Sequence, residues 1–321
     1  MEKIIVTGAT SMIGVSIIEA CLSGNALKIY AVVRPNTTKL DRLPKDVRIS
    51  IVECKSEDYM KLPELIEDNC DIFYHVAWSA SGENRNQDII GQTKNIGYTL
   101  DALVAAKEMN CKKFIGTGSQ AEYGKLNLDK INEISPVNPI QAYGIAKYAA
   151  GKLGKEEAKK IGIDFIWVRI FSVYGKYDKP TTMVASTIRK LLLGKHTSFT
   201  EAEQRWDYLY SADAGRAFYL IGEKSNGNKV YCLGSGQARL LKEYIKVIGN
   251  IVNPESPLGI GEIPYTEGTV MNLCADISEL KKDTGWHPEV SFEEGIKEIM
   301  DYMKENLKYQ NVEGGQNKIL R

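Results

Sequence analysis

Short apolar runs recur along the first half of the chain, and each is followed by a longer segment of helical character. The runs cover residues 3–6, 28–33, 48–52, 71–76, 113–116 and 164–169. Short strands that are apolar on both faces and are separated by helices are typical of a buried parallel sheet. Helices are expected at 14–22, 87–109 and 142–160. The alternation predicts an α/β fold with a doubly wound parallel sheet.

The pattern loosens beyond Phe171. Two further helices are expected there, over 240–251 and 292–309. Prolines and glycines gather between residues 253 and 268, and such clusters indicate loops that shape a pocket. The second half is therefore expected to add a smaller unit to the sheet.

Charge and composition exclude several classes of function. The 41 basic residues balance the 41 acidic ones, so the formal net charge is zero, which argues against nucleic-acid or anionic-membrane partners. No apolar run reaches the roughly 18 residues of a membrane helix, and no signal peptide is recognisable. The six cysteines lack metal-ligand spacing, so we expect buried thiols, no metal and a cytoplasmic protein.

The octapeptide TGATSMIG, residues 7–14, follows the first strand and opens a helix. Gly8 allows the sharp exit from the strand, and Gly14 lets the helix lie close to the sheet. Ser11 stands where a glycine is usual and offers a hydroxyl donor. Amides at a helix N-terminus favour an anion, so this turn predicts a dinucleotide pyrophosphate site. Its contacts are expected from these residues and from Thr10, Met12 and Ile13.

The second strand bears on the choice of nucleotide. Proteins that bind NAD carry an acidic residue about 20 positions past the glycine turn, where it binds the ribose hydroxyls. Here that count reaches Arg34, in VVRPNTTK. An arginine suits a 2′-phosphate through charge-assisted hydrogen bonds, so NADP is preferred and NAD stays possible. The alternative is an arginine that only faces solvent.

Tyr143 and Lys147 are spaced i, i+4 in QAYGIAK and should share one face of a helix. An ammonium beside a phenol lowers the phenol pKa from about 10, which suits proton transfer with a sugar or alcohol oxygen. Ser119, at the end of the fifth strand, could hydrogen-bond the same oxygen. These three residues are the candidate catalytic set.

In this order, the motifs resemble the extended branch of the short-chain dehydrogenase/reductase family, which contains nucleotide-sugar epimerases, dehydratases and ketoreductases. VRIFSVYG, RWDYLYSADAGRA and YCLGSG are similar to further family landmarks. The resemblance implies an enzyme with a Rossmann fold and a smaller C-terminal substrate-binding lobe. It implies a dinucleotide-binding domain over 1–171 and 212–236, and a lobe over 172–211 and 237–321.

The resemblance also assigns roles to residues. Tyr143 would be the acid/base, Lys147 its electrostatic partner and ribose ligand, and Ser119 the group that polarises the carbonyl. Ala77 would join the cofactor contacts. The 4,6-dehydratase branch carries Asp and Glu after its catalytic Ser or Thr, whereas Gln120 and Ala121 stand here, so dehydratase activity is discounted.

Hydride transfer at C4 of a nucleotide-linked sugar remains. A ketoreductase must exchange its cofactor each turnover, which a reduced NADP pool suits, so we favour a nucleotide-4-keto-6-deoxy-sugar reductase. A 4-epimerase with a tightly held cofactor is the alternative. A non-catalytic dinucleotide-binding redox sensor is disfavoured, because Tyr143 and Lys147 are both present.

The substrate diphosphate needs cationic donors, for which the sequence offers Arg205 and Arg239, although either could form a structural salt bridge. Gln120, Ser172 and Tyr174 are expected at the sugar, with core packing as the alternative for Tyr174. Relatives often dimerise through two helices of each subunit, here 87–109 and 142–160, so a homodimer is expected.

Overall fold

A computed structural model describes the backbone of residues 3–316. Its strands are β1 (Lys3–Thr7), β2 (Lys28–Val33), β3 (Ile49–Glu53), β4 (Ile72–His75), β5 (Lys113–Ser119), β6 (Asp164–Ile170), β7 (Ser172–Tyr174), β8 (Thr197–Phe199), β9 (Arg205–Trp206), β10 (Tyr208–Tyr210), β11 (Lys229–Leu233), β12 (Arg239–Leu240), β13 (Leu258–Ile260) and β14 (Asn272–Leu273). Its α-helices are α1 (Met12–Ser23), α2 (Leu62–Ile66), α3 (Ile89–Glu108), α4 (Ala142–Ile161), α5 (Met183–Leu192), α6 (Ser211–Lys224), α7 (Leu241–Val252), α8 (Ser278–Thr284) and α9 (Phe292–Gln316).

Seven parallel strands form the central sheet, in the order β11-β6-β5-β4-β1-β2-β3. The predicted doubly wound α/β sheet is therefore confirmed. The chain leaves β1 towards β2 on one side and returns to β4 on the other. That reversal opens a crevice at the carboxyl ends of β1 and β4, which is where ligands bind in folds of this kind.

Alternate residues of the strands fill the two faces of the sheet, because successive side chains of a strand point to opposite sides. Ile4 and Val6 pack with α1 and α6, whereas Ile5 packs with α3 and α4. All six cysteines are buried and none is disulfide-bonded, as the sequence predicts.

A third core, apart from the sheet, lies among α5, α7 and α9, with Ile188, Ile248 and Ile296 fully buried in it. These helices fall in the predicted C-terminal lobe. Helix α8 and the buried Trp286 instead pack into the core under α1 and α6. The division into two units stays a prediction, and residues 1, 2 and 317–321 of those ranges lie outside the described part of the chain.

Several element boundaries differ from the predictions for local reasons. Helix α1 starts at Met12 rather than residue 14, because the Ser11 side chain caps it by accepting a hydrogen bond from the Gly14 amide. Strand β5 continues to Ser119 rather than ending at Gly116, since its pairing with β6 extends to the Ser119–Ile170 pair. Helix α9 continues past residue 309 to Gln316.

Gly14→Ala tests the close approach of α1 to β1. A Cβ at Gly14 would stand 2.3 Å from the carbonyl oxygen of Gly8, so the helix would have to move. We expect the free energy of unfolding to fall by roughly 1–3 kcal/mol, measured by urea denaturation. Gly97→Ala is the matched control, because a Cβ at this helical glycine meets no atom within 4 Å. It should stabilise by about 0.5–1 kcal/mol, and equal effects at both glycines would contradict the packing argument.

Candidate functional site

The turn between β1 and α1 has the geometry of a phosphate cradle. Gly8 has a φ of 66°, and a Cβ there would lie 2.8 Å from the Ala77 nitrogen. Thr7 joins the turn to the loop after β4, because its hydroxyl accepts from the amides of Val76 and Ala77 at 3.2 and 3.4 Å. Glycine is thus required where two backbones meet at the crevice.

The N-terminus of α1 opens towards this cradle. Ser11 is exposed, and its hydroxyl oxygen accepts from the Gly14 amide at 3.1 Å, which leaves its hydrogen available to a ligand. Thr10, Met12 and Ile13 complete the first turn, and Arg42 donates to the Thr10 carbonyl at 3.3 Å. The turn fits a pyrophosphate, since a strand, a glycine turn and a helix N-terminus follow one another here and helix N-termini favour anions.

A group of cations surrounds the end of β2. Arg34 directly follows the strand, and Lys39 and Arg42 lie close to it. Burial, Arg42 and Arg34 together lower the pKa of Lys39. A cavity of about 600 Å³ extends from Arg34 and Asn36 towards α3. This position at the carboxyl end of β2 is where the adenosine ribose binds in Rossmann folds.

The three predicted catalytic residues lie together beside the crevice. Ser119 ends β5, and Tyr143 and Lys147 lie one turn apart near the start of α4. The Ser119 side chain lies close enough to the Tyr143 phenol to lower its pKa, and it accepts a hydrogen bond from the Ala121 amide at 3.2 Å. The Lys147 ammonium donates to the Thr117 carbonyl at 2.6 Å, two residues before Ser119. The structure therefore brings the three residues together, and their catalytic roles stay a prediction.

One part of that prediction is wrong. Lys147 was expected to lower the pKa of Tyr143, yet burial raises that pKa, while Arg85 and the Ser119 hydrogen bond lower it in part. The Lys147 ammonium contacts Thr117 and a tryptophan ring rather than the phenol. Burial also lowers the pKa of Lys147 to about 7, although Glu122 raises it. The phenol is therefore arranged as an acid at neutral pH.

Further aromatic and cationic side chains complete this wall of the crevice. The centre of the Trp78 ring lies 3.6 Å from the Lys147 ammonium, and this ring lies edge-on to the Tyr143 ring. The guanidinium of Arg85 lies 4.6 Å from the centre of the Tyr143 ring. Lys179, from the segment after β7, donates to the Ser81 carbonyl across the crevice. No motif marks these residues, since they arrive through the loop after β4 and the start of the second half.

A buried charge cluster lies directly behind Ser119. Glu122 is fully buried and accepts hydrogen bonds from the Ser119 amide at 2.9 Å, from Trp167 at 2.9 Å and from Arg169 at 2.7 Å. Arg169 also donates to the Tyr123 hydroxyl at 2.8 Å. A glutamate three residues after Ser119 in SQAEYG is the one sequence signal for this cluster.

The residues predicted at the substrate have different surroundings. Tyr174 is a correction: it is 2% exposed, its ring packs against Phe292 and its hydroxyl donates to the Phe292 carbonyl, so it belongs to the lobe core. Gln120 and Ser172 are partly exposed. Arg205 is exposed and donates to the Ala238 carbonyl. Arg239 forms an ion pair with Glu293 at 3.0 Å, the structural alternative that the sequence left open.

The described residues contain neither a membrane-spanning helix nor a metal-binding cluster. Their helices include none with the length and hydropathy to span a membrane. Their His, Cys, Asp and Glu side chains form no group of three that could hold a metal ion. His75 is buried at the end of β4 between the hydroxyls of Thr7 and Thr99, and burial lowers its pKa to about 3, so it remains neutral.

Comparison with known proteins gives consistent matches. The profile of the NAD dependent epimerase/dehydratase family matches residues 4–234. A putative UDP-glucose 4-epimerase of Methanocaldococcus jannaschii is 24% identical over 312 residues, which cover 94% of this chain and 99% of that protein. A CDP-abequose synthase of Salmonella muenchen is 26% identical, covering 95% and 98%. The structure of UDP-glucose 4-epimerase from Thermotoga maritima, with UDP-glucose, is 25% identical with a TM-score of 0.85, covering 95% and 99%.

Replacing Lys147 by Met tests the buried ammonium. Its pKa is about 7 in the fold against 10.5 unperturbed, so between these values the unfolded chain binds more protons and stability rises with pH. We expect the difference in unfolding free energy, wild type minus Lys147→Met, to increase from about pH 7 to about pH 10 in urea titrations. Lys152→Met, on the exposed side of the same helix, should preserve the wild-type pH dependence. A difference that is flat with pH for Lys147→Met would rule out the depressed pKa.

Proposed function

The chain belongs to the NAD dependent epimerase/dehydratase family, whose members are enzymes of the extended short-chain dehydrogenase/reductase class, and we propose that it is an NADPH-dependent nucleotide-sugar 4-ketoreductase. The proposed substrate is a nucleotide-linked 4-keto-6-deoxy sugar. Ser119, Tyr143 and Lys147 form the proposed catalytic set.

The cation group at the end of β2 carries the choice of reductase. Arg34 lines the cavity at the proposed place of the adenosine ribose, and Lys39 and Arg42 are near enough to interact with it or with each other, so charge-assisted bonds to a 2′-phosphate would form there. Lys39 is the partly desolvated member, so an added phosphate dianion gains more there than at a fully solvated lysine. A preference for NADP suits an enzyme that takes reduced cofactor from solution, hence a reductase rather than an epimerase.

The residues around Tyr143 favour protonation of the substrate oxygen. A bound nicotinamide supplies the hydride. Tyr143, with its raised pKa, holds its proton at neutral pH and can give it to the oxygen that becomes a hydroxyl. The Ser119 hydroxyl is proposed to hydrogen-bond the same oxygen, because Ser119 ends β5 beside the phenol and lowers its pKa. Lys147, with a pKa of about 7, is proposed to bind the ribose hydroxyls.

The crevice wall offers contacts for the substrate. Arg205 is the proposed diphosphate donor, with Arg239 a second donor once released from Glu293. Arg85 and Lys179 add positive charge close to Tyr143, where the sugar end of the substrate would lie. Gln120 and Ser172 are proposed to contact the sugar. Arginine forks suit phosphate oxygens through paired hydrogen bonds.

A 4-epimerase is the second candidate. It is favoured by the relatives named as UDP-glucose 4-epimerases, one of which aligns over 94% of this chain. Both candidates use the same three catalytic residues. They differ in whether the cofactor is consumed, so the assay below separates them.

We also infer the organisation of the whole chain. The cofactor is proposed to bind to the unit formed by 1–171 and 212–236, and the substrate to the unit formed by 172–211 and 237–321.

A cytoplasmic homodimer is proposed, since Ile145 and Leu153 of α4 are half exposed and Ile89 and Ile90 of α3 are more than 60% exposed. Apolar side chains at the surface of these two helices suit burial against a second copy. A single-chain mass in light scattering at micromolar concentration would refute the dimer.

Arg34→Gln tests the cofactor preference. Loss of a charged hydrogen bond costs about 1.5–3 kcal/mol, so the Kd for NADPH should rise by roughly 10- to 100-fold while that for NADH changes little. Binding is measured by fluorescence titration with each cofactor. Lys45→Gln, an exposed lysine in the same connection, should leave both constants unchanged. An equal loss for both cofactors would oppose the 2′-phosphate assignment.

Turnover tests the reaction itself. We expect stoichiometric NADPH oxidation with a nucleotide-linked 4-keto-6-deoxy sugar, followed by absorbance and by the stereochemistry of the product. Tyr143→Phe should lower kcat by about 10²–10⁴-fold because the proton donor is lost. Tyr148→Phe, one turn away on the same helix, is the control and should retain activity. Conversion of a nucleotide hexose without added cofactor would replace the reductase by the epimerase.

A further inference from the structure

We propose that Glu122 is a positioning residue of this site: its buried carboxylate fixes the backbone of Ser119 and holds a negative charge behind Tyr143 and Lys147. Only one hydrogen bond of the carboxylate, from the Ser119 amide, belongs to the short turn in which Glu122 lies. Its other two hydrogen bonds reach from that turn to Trp167 and Arg169 of the neighbouring strand β6. This inference rests on the catalytic set of the proposed function.

The contact with Ser119 is a reciprocal cap. The Ser119 hydroxyl accepts from the turn that follows, and Glu122 Oε1 accepts from the Ser119 amide at 2.9 Å. Two hydrogen bonds, one at the amide of Ser119 and one at its hydroxyl, therefore fix this residue relative to the turn. Because Glu122 is 0% exposed and Ser119 8% exposed, water cannot readily replace this bond.

Trp167 lies between the Glu122 carboxylate and helix α4. Its indole nitrogen donates to Glu122 Oε1 at 2.9 Å, and its ring lies 5.8 Å from the Lys147 ammonium. Glycines clear the space for this ring: a Cβ at Gly116, Gly118 or Gly151 would stand within 2.4–2.8 Å of Trp167 atoms. Gly151 lies one turn beyond Lys147 on α4. Because the Trp167 ring packs against Gly151, the orientation of this ring and the position of α4 depend on each other.

The charge of Glu122 acts on both titrating catalytic groups. It raises the pKa of Lys147 against burial, and it raises the pKa of Tyr143 in addition to burial. The other ionisable groups facing this cluster are Arg169 on β6, Tyr123 beside Glu122, Cys232 on β11 and Glu133, whose carboxylate accepts from the Cys232 amide. Arg85 also interacts with Tyr143, and His75 with Lys147.

Removing the charge leaves Arg169 without its carboxylate partner behind the site. Both effects, the lost anion and the uncompensated guanidinium, favour the phenolate and the neutral amine. Glu122→Gln keeps an oxygen that can accept from Ser119 while it removes the charge. The main effect of Glu122→Gln is therefore electrostatic, so this variant distinguishes the role of the charge from a purely structural role of the side chain.

The test titrates Tyr143 directly and needs no substrate. Phenolate ultraviolet absorbance is recorded against pH for the wild type and for Glu122→Gln, each minus the same protein with Tyr143→Phe. We expect the titration to move to lower pH by about one unit in Glu122→Gln. Glu133→Gln is the matched control, because it removes a partly buried carboxylate of the same cluster that contacts neither Ser119 nor Trp167; the Tyr143 titration should stay in place. No shift in Glu122→Gln, or an equal shift in Glu133→Gln, overturns the proposal.

Activity gives the second readout. With the keto sugar, Glu122→Gln should lower kcat by roughly 10-fold with KM within about 2-fold, and the alkaline limb of the kcat profile should move to lower pH. If Glu122→Gln does not fold, Glu122→Asp keeps the charge on a shorter arm. It should preserve the Tyr143 titration yet lower kcat, and a wild-type kcat would overturn the proposal. Absence of turnover with every keto sugar counts against the proposed function, while the ultraviolet titration still decides the role of Glu122.

Discussion

The parallel pairing of β1 with β4 and of β4 with β5 is the constraint on which this structure depends. It places the ends of three strands side by side, so that Gly8, Ala77 and Ser119 meet at one edge although they are far apart in the chain. Thr7 joins the first two ends through its hydroxyl. The proposed cofactor cradle and the proposed catalytic residues are therefore neighbours because of strand order, and only the identity of the side chains adds chemistry to that arrangement.

A second feature of the molecule is a charged cluster where most proteins of this size place apolar side chains. Arg169 and Glu122 are both nearly inaccessible, and their ion pair is only 2.7 Å long. A buried pair of this kind gives little net stability compared with apolar packing, yet loss of one partner leaves an uncompensated charge. The cluster is thus better understood through what it holds in place beside the crevice than through its contribution to folding.

Sequence patterns predict the sheet well because strands of this type must be short, apolar and separated by helices. They also predict that Ser119, Tyr143 and Lys147 lie near one another, since spacing on a helix and position at a strand end survive folding. The acidity of Tyr143 was not predictable, because it depends on burial and on where the Lys147 amine points. Arg85 and Lys179 were missed for a similar reason, since short loops bring them in without a motif. Tyr174 was misassigned because a family landmark indicates location in the chain, whereas the packing of Phe292 decides its exposure.

The burial of every cysteine has a consequence for how this protein meets oxidants and alkylating reagents. Burial raises the pKa of Cys21, Cys70 and Cys232 to about 12, and that of Cys54 and Cys274 to about 11, with Cys111 raised as well. The reactive form of a thiol is the thiolate, and the raised pKa values keep these thiols protonated at neutral pH. They are therefore unreactive as well as shielded from reagents by burial. Reaction with a thiol reagent would consequently report the opening of the folded chain rather than any event at the crevice.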